Sequence, residues 1–238
     1  MTDGAPGAFA VLGTDTAVGK TVVTAGLVGW LRDTGHDARA VKPVQTGYPP
    51  DDDARFVADA CGTDRAATCL RRLEPALAPA VAADVAGEAL TYETLRDRTA
   101  DALADGSPGV MEGVGGVRVP LAGDREVIDL VADLNLPSVV VARSGLGTLN
   151  HTALTVSALE RRDVDVSGVV LNRYAGASVA ERTNPDVLRE MTDCPVWTLP
   201  PLAFDDSDPG AVAHGVRDNL SGDVFPDSVV ARGVAGDP

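Results

Sequence analysis

The chain has 238 residues, a length that one α/β domain can hold, and 45% of them are hydrophobic. Its 35 acidic residues outnumber its 20 basic residues, so the net charge is −15 and the pI is about 4.4. So negative a chain lacks the positive field that nucleic acid or an anionic membrane requires, and neither is expected as a partner. Three scattered cysteines, the lack of an apolar run of about 20 residues and an acidic N-terminus predict a reduced, cytoplasmic protein without disulfides.

Lysine is almost absent from this acidic sequence. Lys20 and Lys42 are the two lysines, and every other basic residue except histidine is an arginine. An acidic surface that is poor in lysine is typical of adaptation to a salt-loaded cytosol, and compositional drift in a GC-rich coding sequence is the alternative explanation. Because lysine is so rare here, we expect the two that remain to serve a purpose that needs an ammonium group.

Short apolar runs alternate with longer amphipathic ones along the chain. The apolar runs predict strands at 8–13, 38–41, 109–111, 138–142, 166–171 and 196–199. The amphipathic runs predict helices at 20–32, 54–61, 92–104, 127–134 and 150–160. Apolar strands separated by helices predict one doubly wound α/β domain over residues 1–220, with a mostly parallel sheet covered by helices on both faces. Residues 221–238 carry little pattern, and a flexible tail is predicted there.

The first predicted strand leads into a loop with the features of a phosphate-binding site. Residues 13–21 read Gly-Thr-Asp-Thr-Ala-Val-Gly-Lys-Thr. Backbone N–H groups and the start of a helix form an anion cradle in such P-loops, the lysine reaches the phosphates and the final threonine binds Mg²⁺. The first position of the pattern holds Thr14 instead of glycine, and a plain turn capped by Thr16 is the alternative. Asp15 stands where partition and septum-site ATPases carry an extra lysine, which counts against a dimerising switch ATPase.

Four segments, in the same order, resemble the dethiobiotin synthetase family. They are the phosphate loop at 13–21, KPVQTG at 42–47, EGVGG at 112–116 and GLGTLNHT at 145–152. The resemblance covers roughly residues 8–175 and implies a P-loop NTPase type of fold. It implies an ATP- and Mg²⁺-dependent ligase of biotin biosynthesis, which forms dethiobiotin from 7,8-diaminononanoate and CO₂ through a carbamate and a carbamic-phosphoric anhydride. It also implies a homodimer with shared active sites.

The resemblance assigns roles to individual residues. The catalytic residues that it implies are Lys42, Lys20 and Thr16. The residues expected to contact the nucleotide are Thr16, Ala17, Val18, Gly19, Lys20, Thr21, Asp53, Glu112, Asn172, Pro200 and Leu202. The Mg²⁺ ligands that it implies are Thr21, Asp53 and Glu112. The residues expected to contact diaminononanoate are Thr46, Pro79, Gly115 and, from the dimer mate, Gly147, Thr148 and Asn150.

Several of these assignments have a plainer alternative. For the acidic run at 51–53 as a whole, solvating a loop and capping a helix is the favoured use, and metal binding is favoured for Asp53 alone. Thr148 is the alternative cap of a helix, and Asn172 is alternatively a turn residue. Two other functions use a similar phosphate loop, a partition-type switch ATPase and a cobyrinate-type ATP-dependent amidoligase. The amidoligase also needs a glutaminase domain, for which this chain is too short. If either lysine acts at the site, its replacement by alanine is predicted to abolish turnover and leave the fold intact.

Overall fold

The computed structural model describes residues 7–203 and 210–229 and confirms the predicted α/β class. A seven-stranded sheet lies at the centre of this part of the chain, and all of its strand pairs are parallel. From one edge to the other its strands are β11 (Val196–Leu199), β10 (Val166–Asn172), β9 (Ser138–Arg143), β1 (Phe9–Gly13), β6 (Gly109–Glu112), β2 (Arg39–Lys42) and β4 (Ala67–Cys69). Two short ladders accompany it, β3 (Gln45–Thr46) with β5 (Arg72–Leu73), and β7 (Pro120–Ala122) with β8 (Arg125–Glu126).

Helices cover both faces of the sheet. They are α1 (Lys20–Asp33), α2 (Asp53–Ala60), α3 (Pro79–Ala86), α4 (Tyr92–Ala104), α5 (Val127–Asp133), α6 (Thr148–Glu160), α7 (Val179–Thr192), α8 (Ala211–Arg217) and α9 (Asp227–Val229). Successive side chains of a strand point to opposite faces, so the central strand β1 feeds two cores. Ala10 and Leu12 belong to the core that includes α4, α5 and α6, whereas Phe9 and Val11 belong to the core under α1 and α8.

Four strands extend one residue further than their apolar pattern predicts, and each added residue is polar. Lys42, Glu112, Arg143 and Asn172 are the last residues of β2, β6, β9 and β10. The ladder continues past the point where the apolar run ends, because backbone pairing does not require an apolar side chain. The carboxyl ends of parallel strands lie side by side, so these polar residues lie together at that end of the sheet.

The structure contains helices that periodicity did not predict, among them α3, α7 and α8. In α7 the pattern is interrupted by Pro185, which lies inside the helix. Part of the predicted tail is folded in this structure, because Phe225 is buried with its ring centroid 6.2 Å from that of Phe9 and 5.1 Å from that of Trp30. Residues 230–238 of that predicted tail lie outside the described residues. None of the helices in the described part of the chain has the length and apolar character that crossing a bilayer requires.

Candidate active site

The loop between β1 and α1 has backbone conformations that suit an anion cradle. Gly19, which precedes α1, has φ 100°, and Ala17 has φ 56°. A Cβ atom at Gly19 would lie 1.9 Å from Nδ2 of Asn172, so both the φ angle and the close approach require glycine. The loop therefore wraps closely around the start of α1, where backbone N–H groups are free to bind phosphate.

The Lys20 side chain lies within this loop. It is only 7% exposed, and its ammonium donates to the carbonyl oxygens of Asp15 at 3.0 Å and Gly115 at 2.9 Å. Burial, reinforced by the nearby positive charge of Lys42, lowers the pKa of Lys20 to about 8. One of the two lysines predicted to need an ammonium group is thus held against the phosphate loop and against the loop that follows β6.

The second lysine, Lys42, is buried between two carboxylates. Its ammonium lies 2.5 Å from Oδ2 of Asp53 and 2.9 Å from Oε1 of Glu112, and it also donates to the Gly113 carbonyl at 3.0 Å. The Thr21 hydroxyl donates to the same Glu112 oxygen at 2.8 Å. Three residues predicted as metal ligands therefore gather around one lysine, and they come from α1, α2 and β6.

Burial and charge act in opposite directions on this cluster. Burial favours a lower pKa for Lys42, but the two carboxylates outweigh that effect and raise it. Burial raises the pKa of Glu112, and Lys42 offsets only part of the rise. Burial also acts to raise the pKa of the more exposed Asp53, but Lys42 outweighs it and lowers that pKa. The arrangement keeps Lys42 protonated, which is the state that binds anionic oxygens.

The three aspartates at 51–53 separate into different environments. Asp51 is exposed, whereas Asp52 caps α2 by accepting the Arg55 N–H at 3.1 Å. Asp53 turns inward to Lys42, and its own N–H donates to Oε1 of Gln45 at 3.2 Å. Both readings of the acidic run therefore apply, to different residues: Asp52 caps a helix and Asp53 reaches the site.

The set of oxygen donors in this cluster fits Mg²⁺, which prefers hard oxygen ligands and retains water or phosphate ligands. Thr21, Asp53 and Glu112 supply one hydroxyl and two carboxylates. No group of three His, Cys, Asp or Glu side chains that would hold a metal unaided occurs within residues 7–203 and 210–229. The residues present thus suit an ion that completes its coordination with oxygens of a bound nucleotide.

The glycine-rich segment after β6 closes against the phosphate loop. A Cβ atom at Gly116 would lie 3.3 Å from the Thr14 carbonyl oxygen. Gly115 has φ 60°, and a Cβ atom there would meet the Val119 side chain at 2.8 Å. These contacts explain the glycines at both positions and place Gly115, a predicted substrate contact, beside the loop that holds Lys20.

The other predicted substrate contacts fall in two regions. Thr46 is half-buried in β3, and Pro79 is the buried first residue of α3, which packs against β3 and β5. Gly147, with φ 87°, precedes α6, which begins at Thr148. The Thr148 hydroxyl lies 3.3 Å from that of Thr152 and does not cap the helix, so the plainer reading of Thr148 as a helix cap is wrong. Asn150 is exposed in the first turn of α6.

The residues predicted to contact the nucleotide base lie at the end of β10 and just after β11. The Asn172 side chain donates to the Val18 carbonyl at 2.9 Å, and its own oxygen accepts the Arg173 N–H at 2.8 Å. Asn172 is therefore more than a turn residue, since it fixes the phosphate loop from the neighbouring strand. Pro200 follows β11, and Leu202 packs against α8 beside Gly215. Residues 204–209, which follow them, lie outside the described residues.

Two residues that support the site were not singled out by sequence reasoning. Gln45 binds the start of α2 through the Asp53 N–H and donates to the Thr46 carbonyl at 2.9 Å. Arg143, at the end of β9, donates to the Thr16 carbonyl at 3.2 Å. For Arg143 a signal was available, because it is a basic residue at the end of a predicted parallel strand. A single amide such as Gln45 carries no comparable signal.

Fold and site together define a P-loop nucleotide-binding α/β protein. A ParA family ATPase from Chlorobium tepidum has the same fold, with a TM-score of 0.56 over 95% of this chain and 98% of that chain at 14% identity. The cell division ATPase MinD of Pyrococcus furiosus aligns with a TM-score of 0.52 over 89% of this chain and 99% of that chain at 15% identity. At such low identity these similarities establish the fold alone.

Sequence comparisons identify the family within this class. A family model described as an AAA domain matches residues 8–202. The chain is 66% identical over 212 residues to the ATP-dependent dethiobiotin synthetase BioD of Haloferax mediterranei, covering 89% of this chain and 90% of that protein. It is 34% identical over 200 residues to BioD of Bacillus cereus, covering 82% of this chain and 83% of that protein. The chain belongs to the dethiobiotin synthetase family.

Proposed function

We propose that this protein is an ATP-dependent ligase that closes the cyclic urea of dethiobiotin from 7,8-diaminononanoate, CO₂ and ATP. The observation that carries this proposal is the buried Lys42, held by Asp53 and Glu112 beside the phosphate loop in a chain 66% identical to a named dethiobiotin synthetase. The alternative, a partition-type switch ATPase, would hydrolyse ATP without a small organic substrate.

The reaction brings several anions together in three steps. One amine of the substrate attacks CO₂ and loses a proton, which gives a carbamate. A carbamate oxygen then attacks the γ-phosphorus and ADP leaves. The second amine attacks the carbamate carbon, loses a proton and expels inorganic phosphate, which closes the five-membered ring. Such chemistry depends on positioning and charge stabilisation more than on a strong base.

The two lysines divide the charge between them in this proposal. Lys20 and the N–H groups of residues 16–19 hold the β- and γ-phosphates. The Thr16 N–H, which donates to Oδ1 of Asp15 at 2.7 Å in this structure, exchanges that partner for phosphate. Lys42 lies at the end of β2, where its ammonium contacts the carbamate and the transferring phosphoryl group. Its hydrogen bonds to Asp53, Glu112 and Gly113 fix its position before substrate arrives. A donor fixed in advance needs no reorganisation as charge develops, which is the basis of its contribution to rate.

Mg²⁺ belongs with the nucleotide in this proposal. Thr21, Asp53 and Glu112 would hold it, since they supply the hydroxyl and carboxylate oxygens that this ion prefers. When bound, Mg²⁺ neutralises charge on the phosphate oxygens. Lys42 already bridges Asp53 and Glu112, so both carboxylates are in place before the ion binds.

We also propose that the enzyme is a cytoplasmic homodimer in which each subunit completes the other's site. Leu146 is 93% exposed and Leu154 is 63% exposed, and Asn150 lies between them at four-residue spacing. Asn150 and Leu154, four residues apart in α6, share one helix face, and Leu146 is exposed in the turn just before that helix. Apolar contact area therefore lies beside the turn predicted to bind the substrate carboxylate. Cys61, Cys69 and Cys194 are free, as expected in a reducing compartment.

Labelled bicarbonate provides the decisive experiment. With ¹³C-bicarbonate, diaminononanoate and MgATP, the enzyme should release dethiobiotin one mass unit heavier at the urea carbon, with one phosphate per product. ATP turnover should be negligible when either co-substrate is omitted. Hydrolysis at the same rate without diaminononanoate would favour a switch ATPase. A requirement for glutamine or ammonia would favour an amidoligase.

A further inference from the structure

The turn between β9 and α6 is tied to α7 by side chains that have no role in the proposed reaction. Ser144, directly after β9, is buried, and its hydroxyl donates to Oε1 of Glu181 at 2.7 Å. The same hydroxyl lies 3.2 Å from the Arg173 carbonyl oxygen. Ser144 therefore stands where the ends of β9 and β10 meet the first turns of α7.

Asn184 holds the next part of the same turn. It is buried, and its amide nitrogen donates to the Ser144 carbonyl at 2.8 Å and to the Gly145 carbonyl at 3.3 Å. A primary amide has two hydrogens, so it can serve both acceptors at once. One side chain of α7 thus fixes two successive peptide groups of the turn.

Glu181 anchors this arrangement to the start of α7. Its second carboxylate oxygen accepts the N–H groups of Ala177 at 2.8 Å and Ser178 at 3.4 Å, while the Ser178 hydroxyl accepts the Glu181 N–H at 3.1 Å. This reciprocal capping box holds the carboxylate in one place. The Glu181 carboxylate, which accepts the hydrogen bond from Ser144, is therefore fixed at the start of α7.

The turn has little packing of its own. Leu146 is almost fully exposed, and a Cβ atom at Gly145 would meet nothing within 4 Å. Gly147 has φ 87°, a conformation that glycine adopts and leaves easily. Besides one backbone hydrogen bond, from the Thr148 N–H to the Gly145 carbonyl at 3.3 Å, the shape of the turn depends on the hydrogen bonds from α7. Backbone N–H groups bind a carboxylate well only when they are already aligned, because a turn that is ordered by its ligand weakens binding.

We propose that Asn184 and Ser144 are positioning residues that hold the turn 144–147 in the shape that binds the carboxylate of diaminononanoate. This inference rests on the proposed function, which assigns the start of α6 to that carboxylate. Neither residue touches substrate; each acts through the backbone of the turn. Their loss should weaken recognition of the carboxylate and leave the nucleotide and the chemical steps unaffected.

The test uses Asn184→Asp and Ser144→Ala in the full-length enzyme. An aspartate at 184 faces two carbonyl oxygens without a donor, and an alanine at 144 leaves Glu181 without its hydroxyl. Each variant should raise KM for diaminononanoate about tenfold, since one lost buried hydrogen bond corresponds to roughly that factor in affinity. KM for ATP and kcat should stay within about twofold, a separation that general loosening of the fold would not produce.

A substrate analogue sharpens the result. In 2,3-diaminononane a methyl group replaces the carboxylate, so the variants and the wild type should use it with the same kcat/KM. Thr192→Val is the control in the same helix, because Thr192 donates to the Leu188 carbonyl at the far end of α7. Asn219→Asp is the matched amide control, because exposed Asn219 donates to the Gly215 carbonyl at the end of α8. Neither control should change KM for diaminononanoate.

Two results would overturn the inference, and they differ from a failure of the proposed function. If KM for diaminononanoate is unchanged in both variants, Asn184 and Ser144 do not position the turn. If kcat/KM falls equally with diaminononanoate and with 2,3-diaminononane, the two residues serve only general stability. Asn150→Ala separates the cases. If Asn150→Ala raises KM and the α7 variants do not, only the inference fails. If Asn150→Ala also leaves KM unchanged, the carboxylate is not bound at this turn, and both proposals fail there.

Discussion

Lys42 and Glu112 form a buried ion pair, with 2.9 Å between the ammonium nitrogen and the carboxylate oxygen and less than 5% of either residue exposed. The sequence predicts that Lys42→Ala abolishes turnover without harming the fold. Burial changes the second half of that prediction, because the substitution leaves the Glu112 charge unpaired away from water. We expect Lys42→Met to abolish dethiobiotin formation and to lower the free energy of unfolding by about 3–5 kcal/mol.

A double variant separates the two effects of Lys42. Replacing both partners in Lys42→Met/Glu112→Leu removes the buried Glu112 charge and leaves only the more exposed Asp53 without its lysine. Most of the lost stability should therefore return while activity stays absent. Urea denaturation measures the stability of each variant, provided that the m-value stays the same, and dethiobiotin formation measures its activity. Stability of the Lys42→Met variant within about 1 kcal/mol of wild type would contradict the view that burial couples this pair to the fold.

Asp53 should control the Mg²⁺ requirement more than its two neighbours in the acidic run. Asp53→Asn removes a hard anionic ligand and should raise the Mg²⁺ concentration for half-maximal activity about tenfold. Asp52→Asn should keep a capping oxygen for α2 and lose only the partly exposed ion pair with Arg72, so at most about 1 kcal/mol of stability is lost and the Mg²⁺ response is unchanged. Magnesium titrations at saturating ATP distinguish the two variants. If only variants of Asp51 or Asp52 raise the Mg²⁺ concentration for half-maximal activity, that residue and not Asp53 is the metal ligand.

The strands and the polar residues at their ends are the part of this structure that sequence predicts best. A buried parallel strand leaves an apolar run that is easy to recognise, and parallel strands deliver Lys42, Glu112 and Asn172 to one edge without further information. The resemblance of four segments to a known family assigned roles to these residues. Strand direction explains why residues from separate segments meet at one place.

Long-range side-chain contacts explain what could not be predicted. Asn184 lies 40 residues from Ser144 in sequence, and Pro185 beside it argues locally against a helix, although the capping box at Ser178 starts one. Gln45, which holds the start of α2 through the Asp53 N–H, is another such contact. Such contacts are decided by packing after the sheet has formed, so neither periodicity nor composition contains them.

Asp129 should make stability sensitive to acid. It is buried at the start of α5, where it accepts the Glu126 N–H at 2.8 Å and a hydrogen bond from Arg162. Burial acts to raise the pKa of Asp129, but these donors outweigh it and hold the pKa below its usual 3.8. The ionised group therefore stabilises the fold above the unfolded pKa, and this contribution is lost as the pH falls through the lower folded value.

Unfolding experiments between pH 7 and pH 3 test that sign. Asp129→Asn should lower the free energy of unfolding by about 2 kcal/mol at pH 7, and its difference from wild type should shrink on acidification. Asp101→Asn, an exposed position on α4, serves as the control and should differ little from wild type throughout. A difference for Asp129→Asn that stays constant from pH 7 to pH 3 would show that its charge contributes nothing.

Salt should stabilise this protein strongly. At a net charge of −15, like charges on one surface repel, and added ions screen that repulsion within a Debye length of about 3 Å at 1 M. Thermal melts in KCl should therefore show Tm rising steeply up to molar concentrations. Choline chloride at matched ionic strength is a useful control, because general screening predicts a similar rise. A flat profile would favour compositional drift as the origin of the acidity.

Subunit mixing tests whether the turn before α6 serves the partner's active site. Lys42→Ala damages the phosphate side of a site, whereas Asn150→Asp places a negative charge where the substrate carboxylate is proposed to bind. In a heterodimer of these two inactive chains, one site carries both lesions and the other carries neither. Random exchange makes about half of the dimers mixed, so activity should return to about one quarter of wild type. Refolding the two chains together, followed by a dethiobiotin assay, measures this recovery. Each chain refolded alone is the control and should stay inactive. A wild-type enzyme that is fully active and monomeric by light scattering under assay conditions would refute the shared site.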